Sequence, residues 1–284
     1  SHQNISVRYV DTTDGDELRK AVTDRTRLVL IETPSNPLFR ISDISELASI
    51  AREAGAYLAV DNSMLSPVFQ RPLNFGADIV VHSATKFLCG HSDVTAGALI
   101  TNDPTLHKQL SFQQNAEGAG LSPFESWLLL RGLKTLALRV ERQNASAEKV
   151  ARFLQTRPEV SQVFYPGLRD HPGREIHRKQ ADGNGAVVSF TTGNDKLSTE
   201  IVESTQLFKV AVSFGSVGST ISLPCRMSHA SIPCALRDRL APPPDLIRLS
   251  IGIEDSDDLL EDLERAFVLS SSHKKLEEAY NIWP

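Results

Sequence analysis

The sequence predicts an α/β protein: a large domain built on a mostly parallel sheet covered by helices, followed by a smaller C-terminal α/β domain. Three observations carry this. Short apolar runs at 27–32, 57–60 and 79–82 are separated by segments of helix length, the pattern of strands joined by crossovers. Asn36, Asp61 and Lys86 fall just past those runs, and open parallel sheets gather their chemistry at the carboxyl ends of the strands. After Pro158 the long helical segments give way to shorter runs.

The elements follow in order. The run RLVLIE at 27–32 stops at Thr33-Pro34-Ser35-Asn36-Pro37, a cluster of turn formers. Ser42 or Asp43 caps a helix over 44–55, in which Leu47, Ile50 and Ala51 repeat at helical spacing and Gly55 is the stop. YLAV at 57–60, IVVH at 79–82 and AGALIT at 96–101 read as the next three strands. Helical segments at 123–130 and 134–154 follow, with Gly132 breaking the pattern between them. We place the domain boundary so that residues 1–145 form the large domain and 146–284 the small one. In the small domain 160–165, 186–191 and 208–212 read as strands, 237–244 as a short loop and 255–269 as an amphipathic closing helix.

Composition narrows the function classes. With 284 residues, 40% hydrophobic and 23% charged, the chain is an ordinary globular one with ample core. Thirty basic against 35 acidic residues give a formal charge of −5, which argues against a nucleic-acid partner. The longest apolar runs are far below the roughly 18 residues of a membrane span, so no membrane partner is expected. Cys89, Cys225 and Cys234 cannot make a disulfide framework and match no zinc spacing. A reducing compartment fits that usage. His82, His91 and Cys89 lie close together, but their order fits no usual metal site, and no metal is expected. Cys225 reads as a small buried hydrophobe, His229 as a structural loop residue, and RDHPGREIHRK at 169–179 as a solvated loop and helix start.

The chemistry centres on Asp61 and Lys86. Either alone has a plain reading, the aspartate as a turn or cap and the lysine as a solvated charge. Together they place a carboxylate past one buried strand and an amine past the next. Ser83 and Thr85 set two hydroxyls beside the amine. Hydroxyls next to a lysine suit a phosphate, a lysine can form an imine with a carbonyl, and a carboxylate can face a protonated pyridine nitrogen. These are the requirements of pyridoxal 5'-phosphate.

VDNS (60–63), SATKFLCGHSD (83–93) and ETPSNP (32–37) resemble the signatures of the Cys/Met-metabolism, or trans-sulfuration, pyridoxal-phosphate enzymes. The resemblance continues through 114–139 to LIRLSIGIED at 246–255. It implies fold type I, the aspartate-aminotransferase-like fold. Residues 211–233 are most similar to the β-lyase branch of plants and fungi. The resemblance further implies that Lys86 holds the cofactor and shuttles the proton, that Asp61 pairs with the pyridine nitrogen, and that Ser83 and Thr85 bind the phosphate. Asn36 would sit near the phenolic oxygen and Arg248 would clamp the substrate carboxylate. Ser219 would lie near that carboxylate and the lysine, although Gly218-Ser219 also reads as a plain turn. The implied reaction cleaves the amino acid cystathionine to homocysteine, pyruvate and ammonia in a homodimer or homotetramer, cytoplasmic or plastid. The γ-lyase and γ-synthase branches, or a non-catalytic relative, are the alternatives. The family has an N-terminal region ahead of Ser1 that supplies a phosphate loop, a tyrosine stacking on the cofactor and a Tyr/Arg pair reaching the neighbouring subunit. None of these has a counterpart here, so we expect the chain to be part of a longer product.

Overall fold

Residues 5–228 and 241–280 are described in the computed structural model. His229, Cys234 and residues 237–240 of the expected loop lie outside the described residues.

Helix α1 (Gly15–Ala21) precedes the first strand, β1 (Leu28–Glu32), and α2 (Ile44–Glu53) leads to β2 (Tyr57–Asp61). The short helix α3 (Ser66–Phe69) precedes β3 (Ile79–Ser83), which is followed by β4 (Gly97–Ile100). The four strands lie in the order β1-β2-β3-β4, the first three parallel and β4 antiparallel. Alternation along β1 buries Val29 and Ile31 and leaves Leu28 and Leu30 exposed. Of the two expected caps, Asp43 is the one used: its side chain accepts from the Glu46 N–H and satisfies an orphan donor of the first turn. Ile44, Leu47 and Ile50 of α2 then meet Val29, Ile31, Leu58 and Val60 in one core. Full burial of each such side chain stabilises by about 1.5–3 kcal/mol.

Helices α4 (Pro104–Ala116), α5 (Pro123–Leu133) and α6 (Leu136–Gln155) follow. The expected domain boundary falls inside α6, which runs through it unbroken. The helix nonetheless changes allegiance there. Leu136 and Val140 join a core with Ala84, Phe87 and Leu88 that also takes in Ala186, Val187 and Phe214, whereas Ala147, Val150, Ala151 and Leu154 belong to a second core built wholly from residues after 145.

The small domain contains β5 (Gln162–Phe164), α7 (Arg174–Gln180), β6 (Val187–Thr191), α8 (Asp195–Ser204), β7 (Lys209–Val210), β8 (Thr220–Ser222), β9 (Ile247–Ser250) and α9 (Ser256–Tyr280). Its sheet has the order β5-β6-β9-β8-β7. Only β7 and β8 pair in parallel, so this sheet is more antiparallel than an alternating α/β reading suggests. The central strand β9 is the last in sequence and buried at every residue. No helix among the described residues is long and apolar enough to cross a membrane.

Candidate active site

Lys86 sits in a tight turn just past β3. Lys86 N–H donates to Ser83 O at 3.0 Å, Cys89 N–H to Ala84 O at 3.0 Å, and Gly90 N–H to Lys86 O at 2.8 Å. Three neighbours fix this turn. The buried Arg139 donates to Phe87 O at 2.9 Å and also to Gly132 O at 2.9 Å. Gly132 lets α5 approach: a Cβ there would lie 2.3 Å from Cys89 O. Gly215, at φ +88°, closes the other side, where a Cβ would meet the Phe87 nitrogen at 2.7 Å.

Across this turn lies the segment 213–215 of the small domain. Lys86 Nζ donates to Ser213 Oγ at 2.5 Å and stands 5.1 Å from the centre of the Phe214 ring. Arg248, only 2% exposed, projects from β9 over the same ring at 5.6 Å. It donates from Nη2 to Ser213 O at 2.9 Å and from Nη1 to Asn36 Oδ1 at 3.0 Å. Its Nε has no hydrogen-bond partner among the described residues. Burial lowers the Lys86 amine from its ordinary value, and the nearby guanidinium adds to this. Burial likewise brings Arg248 down to about 10, with Glu32 opposing. A half-buried amine beside a buried guanidinium makes a site that favours an anion, and both burial and the guanidinium's field ease loss of the amine's proton.

The remaining side chains line the strand ends. Asp61 Oδ1 accepts from Ser63 N–H at 2.9 Å, leaving Oδ2 without a hydrogen bond among the described residues. Ser63 Oγ in turn accepts from Ser83 N–H at 2.6 Å, tying the ends of β2 and β3 together. The Ser83 hydroxyl itself has no such bond. Thr85 Oγ1 accepts from Ala96 N–H at 3.0 Å and donates to Ala96 O at 3.3 Å, so it must surrender the longer bond to donate to a phosphate. Asn36 stands between Glu32 and Arg248, its N–H donating to Glu32 Oε2 at 3.1 Å.

Ser219 is placed differently from the expectation. Its N–H and Oγ–H both donate to the Glu254 carboxylate, at 2.7 and 2.8 Å, and its Oγ accepts from Gly252 N–H at 2.8 Å. The hydroxyl is spent inside its own turn. The serine on Lys86 is Ser213, which the sequence reading missed. The signal was the triplet Ser213-Phe214-Gly215 directly after an apolar run. Ser213 itself takes φ 80°, a conformation rare outside glycine. Cys225 is half-buried rather than buried. Among the described residues no group of three His, Cys, Asp or Glu side chains is placed to hold a metal.

The donor set fits pyridoxal phosphate. A partly desolvated amine suits the aldehyde, a carboxylate oxygen free at a strand end suits the ring nitrogen, and an unengaged hydroxyl beside the lysine suits the phosphate. Fold and site thus define a type I pyridoxal-phosphate enzyme scaffold. The chain belongs to the Cys/Met metabolism PLP-dependent enzyme family, which it matches over residues 1–268. The family's cofactor is pyridoxal 5'-phosphate. The chain is 52% identical to the chloroplastic cystathionine β-lyase of Arabidopsis thaliana, over 93% of its own length and 57% of that protein's. It is 50% identical to the cystathionine β-lyase of Neurospora crassa, over 94% of its length and 59% of the relative's. The solved cystathionine γ-lyase of Lactobacillus plantarum, complexed with L-serine, superposes with a TM-score of 0.90 at 42% identity, covering 92% of this chain and 68% of that one. The chain therefore spans less than two thirds of the two β-lyases it resembles.

Proposed function

We propose that the protein to which this chain belongs is a pyridoxal-phosphate-dependent carbon–sulfur lyase that cleaves cystathionine to homocysteine, pyruvate and ammonia. The observation that carries this is the meeting of Lys86 and Arg248 at one residue. The amine bonds Ser213 Oγ, the guanidinium bonds Ser213 O, and both stand over Phe214. An amino acid held by its carboxylate on Arg248 thus presents its Cα toward Lys86.

When bound, the cofactor supplies the electron sink that makes a Cα–H bond acidic. The chain's own residues do the rest. Arg248, with Nε unpartnered, offers a planar fork to the carboxylate. Lys86, its pKa depressed, takes the α-proton and returns it later. Asp61 Oδ2 keeps the ring nitrogen protonated, and the Ser83 hydroxyl with Thr85 binds phosphate. The Cβ–S bond then breaks, the sulfur leaving as a thiol with the proton that Lys86 returns, and water hydrolyses the remaining three-carbon fragment to pyruvate and ammonia. The similarity of residues 211–233 to the β-lyase branch supports this branch over the γ-lyase, for which the Lactobacillus relative is the specific counter-observation. The assay is pyruvate against α-ketobutyrate released from cystathionine by the full-length protein. Pyruvate in excess is expected, and dominant α-ketobutyrate assigns the γ-lyase instead.

We further propose a homodimer or homotetramer. Phe124, Trp127 and Leu130 stand exposed along α5, with the two aromatic rings 6.1 Å apart. An apolar stripe of this kind on a helix marks a surface that is covered in the assembled protein.

A further inference from the structure

We propose that Glu32 is a positioning residue for the Arg248 clamp, acting through Asn36; the proposal rests on the reading of Arg248 as the carboxylate receptor. Glu32 closes β1 directly opposite Asp61 in the β1–β2 register. Its Oε2 accepts the Asn36 N–H at 3.1 Å, and Asn36 Oδ1 holds Arg248 Nη1 at 3.0 Å. The residue whose backbone Glu32 anchors is therefore the residue whose side chain aims the guanidinium. The other bonds of this turn, Ser35 N–H to Arg40 O, Phe39 N–H to Ser35 O and Arg40 N–H to Ser35 Oγ, do not involve Asn36.

Glu32 also carries charge into the site. Asp61 faces it from β2 and Arg248 from β9, while His82 on β3 lies in the field of Asp61. Burial, with Asp61 adding, raises the Glu32 carboxyl to about 7, against the Asn36 N–H and Arg248, which lower it. A neutral Glu32 still accepts the Asn36 N–H. An ionised Glu32 offsets part of the guanidinium charge felt by an incoming carboxylate. The affinity of the clamp for an anion therefore falls as pH rises through the neutral range.

The test uses the full-length, cofactor-loaded protein and propionate, a carboxylate with no amine to titrate, with binding measured by calorimetry at pH 6 and pH 8. Glu32→Ala, which loses the anchor, is expected to bind propionate at least about fivefold more weakly at pH 6. Glu32→Gln, which keeps an acceptor but never ionises, should stay within about twofold of wild type at pH 6 and lose the weakening of about threefold between pH 6 and 8. Wild-type affinity in Glu32→Ala overturns the positioning role. An unchanged pH dependence in Glu32→Gln overturns the charge effect. Binding more than about fivefold weaker than wild type in Glu32→Gln at pH 6 overturns the anchor, since the amide keeps an acceptor; this arm stands even if the alanine variant does not fold. Arg248→Ala is the separate control: if it binds propionate like wild type, the clamp reading itself fails, whatever Glu32 does.

Discussion

Lys86, Arg248, the buried His177 and the half-buried Glu32 make opposite demands on pH and substrate. Lys86→Ala in the full-length protein should cut turnover by at least about 10²–10⁴-fold, because the proton-transferring amine is gone. Arg248→Ala should instead weaken apparent substrate affinity by roughly 1.5–3 kcal/mol, the scale of a lost charged hydrogen-bond pair, while the cofactor's attachment to Lys86 survives. Steady-state kinetics with the cofactor's absorbance separate the two. For stability the signs are opposed. His177 is buried, donates its Nε2–H to Gly183 O at 3.0 Å, and burial depresses it from 6.5 to about 4. The unfolded chain takes up that proton more readily, so this contribution is full above pH 6.5 and is lost as pH falls toward 4. Glu32 runs the other way: its folded value of about 7 against 4.5 means stability is lost as pH rises between the two. Glu32→Gln should therefore raise stability at pH 8, by no more than about 3 kcal/mol, in denaturant titrations, whereas His177→Asn should flatten the acid side. An unchanged acid limb in His177→Asn would move the acid sensitivity elsewhere.

Among the elements, the turn around Lys86 depends on close approach. Gly132→Ala drives a methyl into Cys89 O, where the ideal Cβ position is 2.3 Å away. The cost should be about 1–3 kcal/mol of stability, and α5 must retreat from the turn, so cofactor affinity should fall as well. Urea melts and a cofactor titration check both, and a variant with unaltered melts and cofactor affinity would contradict the packing role. The sequence announced Gly132 only as a break between two helices, because a tertiary contact leaves no periodic trace. Strands β1, β2 and β3 and the polar turn around Lys86 were readable because buried runs ended in polar residues. Helix α4 was not, since it buries only Leu106 and so has no apolar stripe, although Asp103-Pro104 gave a start signal. Strands β8 and β9 were missed for another reason: at three and four residues they are too short to set a period, although Ile247-Arg248-Leu249-Ser250 alternates apolar and polar. Ser219 was read as a site residue from its motif, while Ser213 was passed over. Which of two nearby serines faces Lys86 is decided by the turn at Gly215 and the Glu254 carboxylate, not by spacing.

At the scale of the whole molecule, both outer strands of the four-stranded sheet are unpaired on one side among the described residues. They also carry exposed apolar residues, Leu28 and Leu30 on β1 and Leu99 and Ile100 on β4. Unprotected strand edges with apolar side chains invite association. The 284-residue chain alone should therefore self-associate in sedimentation experiments, and Leu30→Lys with Leu99→Lys should reduce this. A chain that stays monomeric at tens of micromolar would contradict the prediction.

The central claim is that Lys86 is the residue that holds the cofactor. It is tested most directly by treating the cofactor-loaded full-length protein with borohydride, which makes a lysine–cofactor link permanent, and mapping the modified peptide by mass spectrometry. The account predicts a single label on Lys86, in the peptide containing Ser83-Ala84-Thr85. A label on any other lysine, or none in fully loaded protein, would contradict it.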